Sequence, residues 1–143
     1  MKTAGDILIV DDESDIRLLI GATLRDEGFT TMEAASAMEA RDLLAAKPPG
    51  LAILDIWMRD SDMDGLELLE WVKSAYPEVP VLMISGHGTV ETAVQAIRNG
   101  AYDFIEKPFK EDRLLLMVQR AFEASRLERE NAELRARVSE ESD

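Results

Sequence analysis

Cysteine is absent from this 143-residue chain, which excludes both a disulfide framework and a thiolate zinc site. No apolar stretch is longer than a strand, far short of a membrane span. The opening MKTAGDILIV runs straight into a strand and lacks the layout of a signal peptide, so a cytoplasmic protein is expected. Positive charge is scarce. Sixteen Lys and Arg face 29 Asp and Glu, for a net charge of −13, and such a field repels nucleic acid phosphates and argues against direct DNA contact. The same acidity fits a site that collects a divalent cation, or simply solubility. What is present, 46% hydrophobic and 31% charged residues, is ordinary for a soluble domain with one core and perhaps an extra helix.

Four short apolar runs each stop at a charged or hydroxylated residue. They are DILIVDD at 6–12, LAILD at 51–55, PVLMIS at 80–85 and YDFIEKP at 102–108. A fifth, shorter run lies at 29–33. Between them stand helical patterns at 14–27, closed by Gly28, and at 36–46, opened by a Ser36/Glu39 capping box and ended by Pro48-Pro49-Gly50. Further patterns follow at 65–75, with Leu66, Leu69, Val72 and Tyr76 on one side, and at 89–98, with Val90, Ala93, Val94 and Ile97. A final helix starts near Lys110. Five strands alternating with five helices predict an α/β fold with a doubly wound parallel sheet. Ligands of such sheets bind beyond the carboxyl ends of the strands. Asp11, Asp12, Asp55, Ser85 and Lys107 should therefore meet in one crevice.

That set suits phosphoryl transfer. A carboxylate and a phosphoryl donor are both negative, and magnesium removes the obstacle by neutralising developing charge. Asp11, Asp12 and Asp55 supply the oxygen ligands that magnesium prefers. Ser85 can donate to a phosphoryl oxygen, and Lys107 brings a compact positive charge. Pro108 keeps Lys107 extended. Singly, each residue has a plainer explanation: Asp11 and Asp12 at a helix dipole, Asp55 as a cap, Lys107 as an exposed strand end. Their joint placement at four strand ends favours a shared site.

The residues IVDDE (9–13), LAILDIWM (51–58), Asp64-Gly65, MISGHG (83–88) and YDFIEKPF (102–109) resemble the receiver domain of two-component response regulators over roughly the first 120 residues. The resemblance implies a flavodoxin-like five-stranded parallel sheet in the order 2-1-3-4-5. It makes Asp55 the phosphoacceptor. It makes Asp12, Asp55 and the backbone carbonyl of Trp57 magnesium ligands, with Asp11 acting mainly through water. Ser85 and Lys107 would hold the phosphoryl oxygens, and the Lys107–Pro108 bond would be cis. The implied partner is a sensor histidine kinase, and the chain would be a phosphoacceptor that catalyses only its own phosphorylation and dephosphorylation.

Two departures from the family pattern stand out. Arg59 occupies the position usually held by Pro, in a loop, RDSDMDG, two residues longer than usual. In this the chain is similar to the NtrX branch of the NtrC-type regulators of nitrogen metabolism, whose receivers lead through a helical linker to ATPase and DNA-binding domains. Phe104 stands where many receivers carry Tyr, so its inward swing as a switch residue would rest on packing alone. Phosphorylation would then alter the surface of the fourth helix, fifth strand and fifth helix and change homodimerisation.

The expected division is a receiver at 1–121 and a helical linker at 122–143. In the linker Ala124, Leu127, Asn131, Leu134 and Val138 follow coiled-coil a and d spacing, with Glu130 and Arg135 placed to pair between chains and Glu123 and Glu128 placed to repel. Fewer than three heptads leave a parallel pair and a solvated helix end both open. Asp60, Asp62, Asp64 and Gly65 imitate the start of a calcium loop, but its twelfth position is Trp71 rather than Glu. Gly86-His87-Gly88 lacks the third glycine of a nucleotide loop. His87 reads as a loop residue near the site and Trp71 as packing. Two other functions fit less well: an aspartyl phosphohydrolase, which needs an acid where Trp57 stands, and a constitutive dimerisation module with a vestigial site.

Overall fold

The structure is a computed structural model that describes residues 5–58, 63–86 and 89–141, with side chains through residue 137. Arg59, Asp60, Asp62, His87 and Gly88, on which several of the sequence expectations fall, lie outside the described residues, as does the side chain of Val138.

Strands and helices alternate without exception among the described residues. In chain order they are β1 (Asp6–Val10), α1 (Ser14–Asp26), β2 (Thr30–Ala34), α2 (Ala37–Ala46), β3 (Leu51–Asp55), α3 (Gly65–Ala75), β4 (Val81–Ser85), α4 (Val90–Arg98), β5 (Asp103–Glu106) and α5 (Glu111–Glu141). All strands pair in parallel in the order β2-β1-β3-β4-β5, the order implied by the resemblance. Parallel neighbours need crossover helices, and these cover both faces of the sheet. Alternate strand residues sort accordingly. Leu8, Val10, Ala52, Leu54, Val81 and Met83 face the layer of α2, α3 and α4. Ile7, Ile9, Leu51, Ile53, Leu82 and Ile84 face the layer of α1 and α5. Burial on both faces explains why these strands read as unbroken apolar runs rather than alternating ones.

The chain leaves β1 toward β2 on one side and returns to β3 on the other. The resulting switch point opens a crevice past the carboxyl ends of β1 and β3.

Local signals agree with most of the expected boundaries. Gly28 adopts φ +93° after α1, a conformation that L side chains avoid. β2 begins at Thr30, one residue later than expected, because Phe29 is drawn into the core and stacks on Phe122 of α5. Ser36 caps α2 by accepting from Glu39 N–H, but the Glu39 carboxylate accepts from Ala35 N–H rather than from Ser36. The full reciprocal capping box belongs to Asp64 and Glu67 at the start of α3. Trp71 packs against the core with Arg41 over its ring face and the Tyr76 ring edge-on.

Among the described residues, apolar stripes on α4 and on the end of α5 are left uncovered. On α4 only Ala96 is buried, whereas Val90, Val94 and Ile97 are 80%, 44% and 46% exposed. On α5 packing against the body continues through Phe122 and Ser125, past the expected start of the linker. Beyond it Leu127 and Leu134 are exposed.

Candidate functional site

Each wall of the crevice is fixed by backbone bonds that run past the end of a strand. Asp11 N–H donates to Ala34 carbonyl oxygen at 3.1 Å, extending the β1–β2 ladder. One oxygen of the Asp11 side chain, Oδ1, accepts from Glu13 N–H at 2.9 Å, which turns the chain into α1. Ile56 N–H donates to Ile84 carbonyl oxygen at 3.0 Å and so carries β3 past Asp55. Lys107 N–H donates to Ser85 carbonyl oxygen at 2.9 Å and ties β5 to β4, with the Lys107–Pro108 bond cis.

Gly65 closes the wall behind Asp55. Its N–H donates to Ile56 carbonyl oxygen at 2.8 Å. A Cβ on Gly65 would lie 2.0 Å from the Asp55 carbonyl oxygen and 2.6 Å from Ile56 Cα. Only a residue without a side chain lets α3 start this close to the end of β3.

Four of the expected residues, Asp11, Asp12, Asp55 and Lys107, converge. One carboxylate oxygen each from Asp11, Asp12 and Asp55 lies within 4.8 Å of the others. Lys107 Nζ donates to Asp11 Oδ2 at 3.0 Å and to Glu13 Oε1 at 3.2 Å, and stands 3.7 Å from Asp55 Oδ1. Ser85 is fully buried at the end of β4, paired in register with Glu106. Trp57 is half exposed just beyond Asp55. Phe104 sits in β5, part-buried against the core layer of α2, α3 and α4. Glu13, which follows the acidic pair in IVDDE, has no role evident from the sequence pattern. The signal for it would have been that an ammonium brings three donors and needs as many acceptors.

Three carboxylates at one point are costly to charge. Burial, then the charges of Asp11 and Asp12, push Asp55 up to about 7, against the pull of Lys107 and of a hydrogen bond from Trp57 N–H. Burial also raises Asp11, although Glu13 N–H and Lys107 hold it back. For Lys107 burial works against the ammonium. The Asp11 hydrogen bond and the charges of Asp55 and Asp11 outweigh it and hold the group above the ordinary lysine value. A cluster that resists its own ionisation, built only of hard oxygen donors, fits a divalent cation of the magnesium or calcium class.

Residues 7–119 match the family model of the response regulator receiver domain. The chain belongs to that family. Among receiver-bearing relatives, the nitrogen assimilation regulatory protein NtrX of Azorhizobium caulinodans is 56% identical over 132 residues, which are 92% of this chain and 29% of that protein. The crystal structure of the receiver domain of NtrX from Brucella abortus is 57% identical with a TM-score of 0.80, covering 82% of this chain and 98% of that one. The solution structure of the beryllofluoride-activated NtrC4 receiver domain dimer is 39% identical with a TM-score of 0.79, covering 84% of this chain and 98% of that one. The chain thus spans under a third of the length of the curated NtrX relative, and the receiver accounts for most of the chain.

Proposed function

We propose that Asp55 accepts a phosphoryl group from a phosphohistidine on a sensor histidine kinase, and that the modified receiver switches its own association and the output of an NtrC-type transcriptional regulator of nitrogen metabolism. The observation that carries this reading is the position of Asp55: a buried carboxylate with Lys107 Nζ at 3.7 Å and two further carboxylates within 4.8 Å. A magnesium ion held by Asp12, Asp55 and the Trp57 carbonyl, with Asp11 acting mainly through water, would supply the charge neutralisation that the three carboxylates need.

Asp55 Oδ attacks phosphorus. The new O–P bond forms as the N–P bond of the donor breaks, and the electron pair stays on the imidazole nitrogen, which takes up a proton. Lys107 and the Ser85 hydroxyl bind the transferred oxygens, drawing on the segments after β4 and β5. Phe104 follows by packing inward, and the surface of α4, β5 and α5 changes. Self-association through that surface is supported by the uncovered Val90, Val94 and Ile97, and by the dimeric state of the related activated NtrC4 receiver.

The stripe of Leu127, Asn131 and Leu134 on α5 would join two chains as a linker toward ATPase and DNA-binding domains. The linker is proposed at 122–143, with its first residues as far as Ser125 packed on the body. No described helix is long and apolar enough to cross a membrane, and we place the protein in the cytoplasm. The residue two positions after Asp55 is Trp57, which cannot serve as acid or base, so turnover of external phosphomonoesters is not expected.

The reading is tested by intact mass after treatment with acetyl phosphate and magnesium. Wild type is expected to gain one phosphoryl group and Asp55→Asn none. A variant that gains it at the wild-type rate contradicts the assignment.

A further inference from the structure

Glu13 occupies the N-cap position of α1 with extended backbone angles of φ −92° and ψ 114°, yet its side chain makes no cap hydrogen bond. Ser, Thr, Asp and Asn are the residues suited to that position, because their short side chains turn back onto the helix N–H groups. The longer glutamate instead reaches Lys107, 3.2 Å from Nζ. Three carboxylates thus share one ammonium. Asp11 and Glu13 are within hydrogen-bond range, and Asp55, the acceptor, is the farthest at 3.7 Å. A phosphoryl group at Asp55 adds a stronger acceptor that competes with the two nearer carboxylates for the ammonium. Asp11 is fully buried, whereas the Glu13 side chain is 64% exposed and can exchange the ammonium for bulk water.

We propose that Glu13 is a positioning residue: it holds Lys107 at the rim of the crevice in the unmodified chain and gives it up to a tetrahedral phosphoryl-like anion at Asp55. The proposal rests on the reading of Asp55 as the phosphoacceptor. Glu13 then sets how readily the site takes such an anion.

The test uses the full chain, with two readouts. The first is proton exchange of the Lys107 ammonium with solvent, followed by NMR in the metal-free protein. The second is the affinity for beryllofluoride in the presence of magnesium. Glu13→Gln and Glu13→Ala are expected to speed ammonium exchange and to tighten beryllofluoride binding roughly two- to fivefold, the scale of one exposed ion pair. Glu13→Asp separates lysine holding from simple repulsion. It keeps the negative charge but should turn onto the helix N–H groups as an ordinary cap, so binding should tighten as in the neutral variants.

Wild-type ammonium exchange in Glu13→Ala would overturn the contact. Unchanged beryllofluoride affinity in Glu13→Ala, or wild-type affinity in Glu13→Asp, would overturn the positioning role. Wild type failing to bind beryllofluoride at all would instead overturn the phosphoacceptor reading, and the exchange result would still decide whether Glu13 holds Lys107.

Discussion

A carboxylate held near pH 7 inside a folded protein works against the fold whenever it is ionised. Asp55 has an ordinary value of 3.8 and is pushed up to about 7 by burial and by Asp11 and Asp12. Between those two values the folded chain binds more protons than the unfolded one, so stability falls as pH rises and levels off above about 7. Asp55→Asn removes that cost. In chelator-treated protein the variant is expected to melt higher than wild type at pH 8, by about 2–4 kcal/mol of stability, and the gain should shrink steadily from pH 7 to pH 5. Thermal melts across that range check it, and a constant difference between the two proteins would contradict the cause given. Gly65 makes the opposite kind of prediction. Gly65→Ala puts a methyl group 2.0 Å from the Asp55 carbonyl oxygen, so the start of α3 and the end of β3 must separate. The expected cost is about 3 kcal/mol by denaturant melting, together with slower phosphorylation because Asp55, the proposed acceptor, moves with its backbone.

At the scale of elements, the sequence pattern identified the strands and helices but could not say which helix face finds a partner within the chain. Strand ends were legible because a run buried on both faces has to stop where the chain meets polar groups, as at Asp55 and Ser85. The stripe on α4 has helical spacing like a core face, yet Val90, Val94 and Ile97 point outward and the small Ala96 packs inward. Periodicity reports an apolar stripe and is silent on what covers it. Val94→Glu follows from this. It should change stability by no more than about 0.5 kcal/mol, since nothing buried is disturbed, while weakening phosphodonor-dependent self-association measured by light scattering. Loss of folding would mean that the face is covered within the chain. Loop geometry was less legible for a different reason. Glu39 turns to Ala35 instead of Ser36, and the reciprocal box forms at Asp64 and Glu67, because one sequence spacing admits both arrangements and tertiary position chooses between them.

For the whole molecule, the topological switch brings together side chains from both halves of the chain. Lys107 and Asp11, 96 residues apart in sequence, share a hydrogen bond. The carboxylates and ammonium of the crevice could be named from the sequence because their chemical types are restrictive. The part proposed for Glu13 could not, because the fold sets both its place at the start of α1 and the reach of its side chain to Lys107. The central claim is that this convergence makes Asp55 the one acceptor. The direct measurement is to treat the full chain with acetyl phosphate and magnesium, reduce it with borohydride, and locate the modified residue by peptide mass spectrometry. The account predicts reduction of the acyl phosphate to homoserine at Asp55 alone. Homoserine at Asp11 or Asp12, or at no aspartate in a chain that has gained a phosphoryl group, would contradict it.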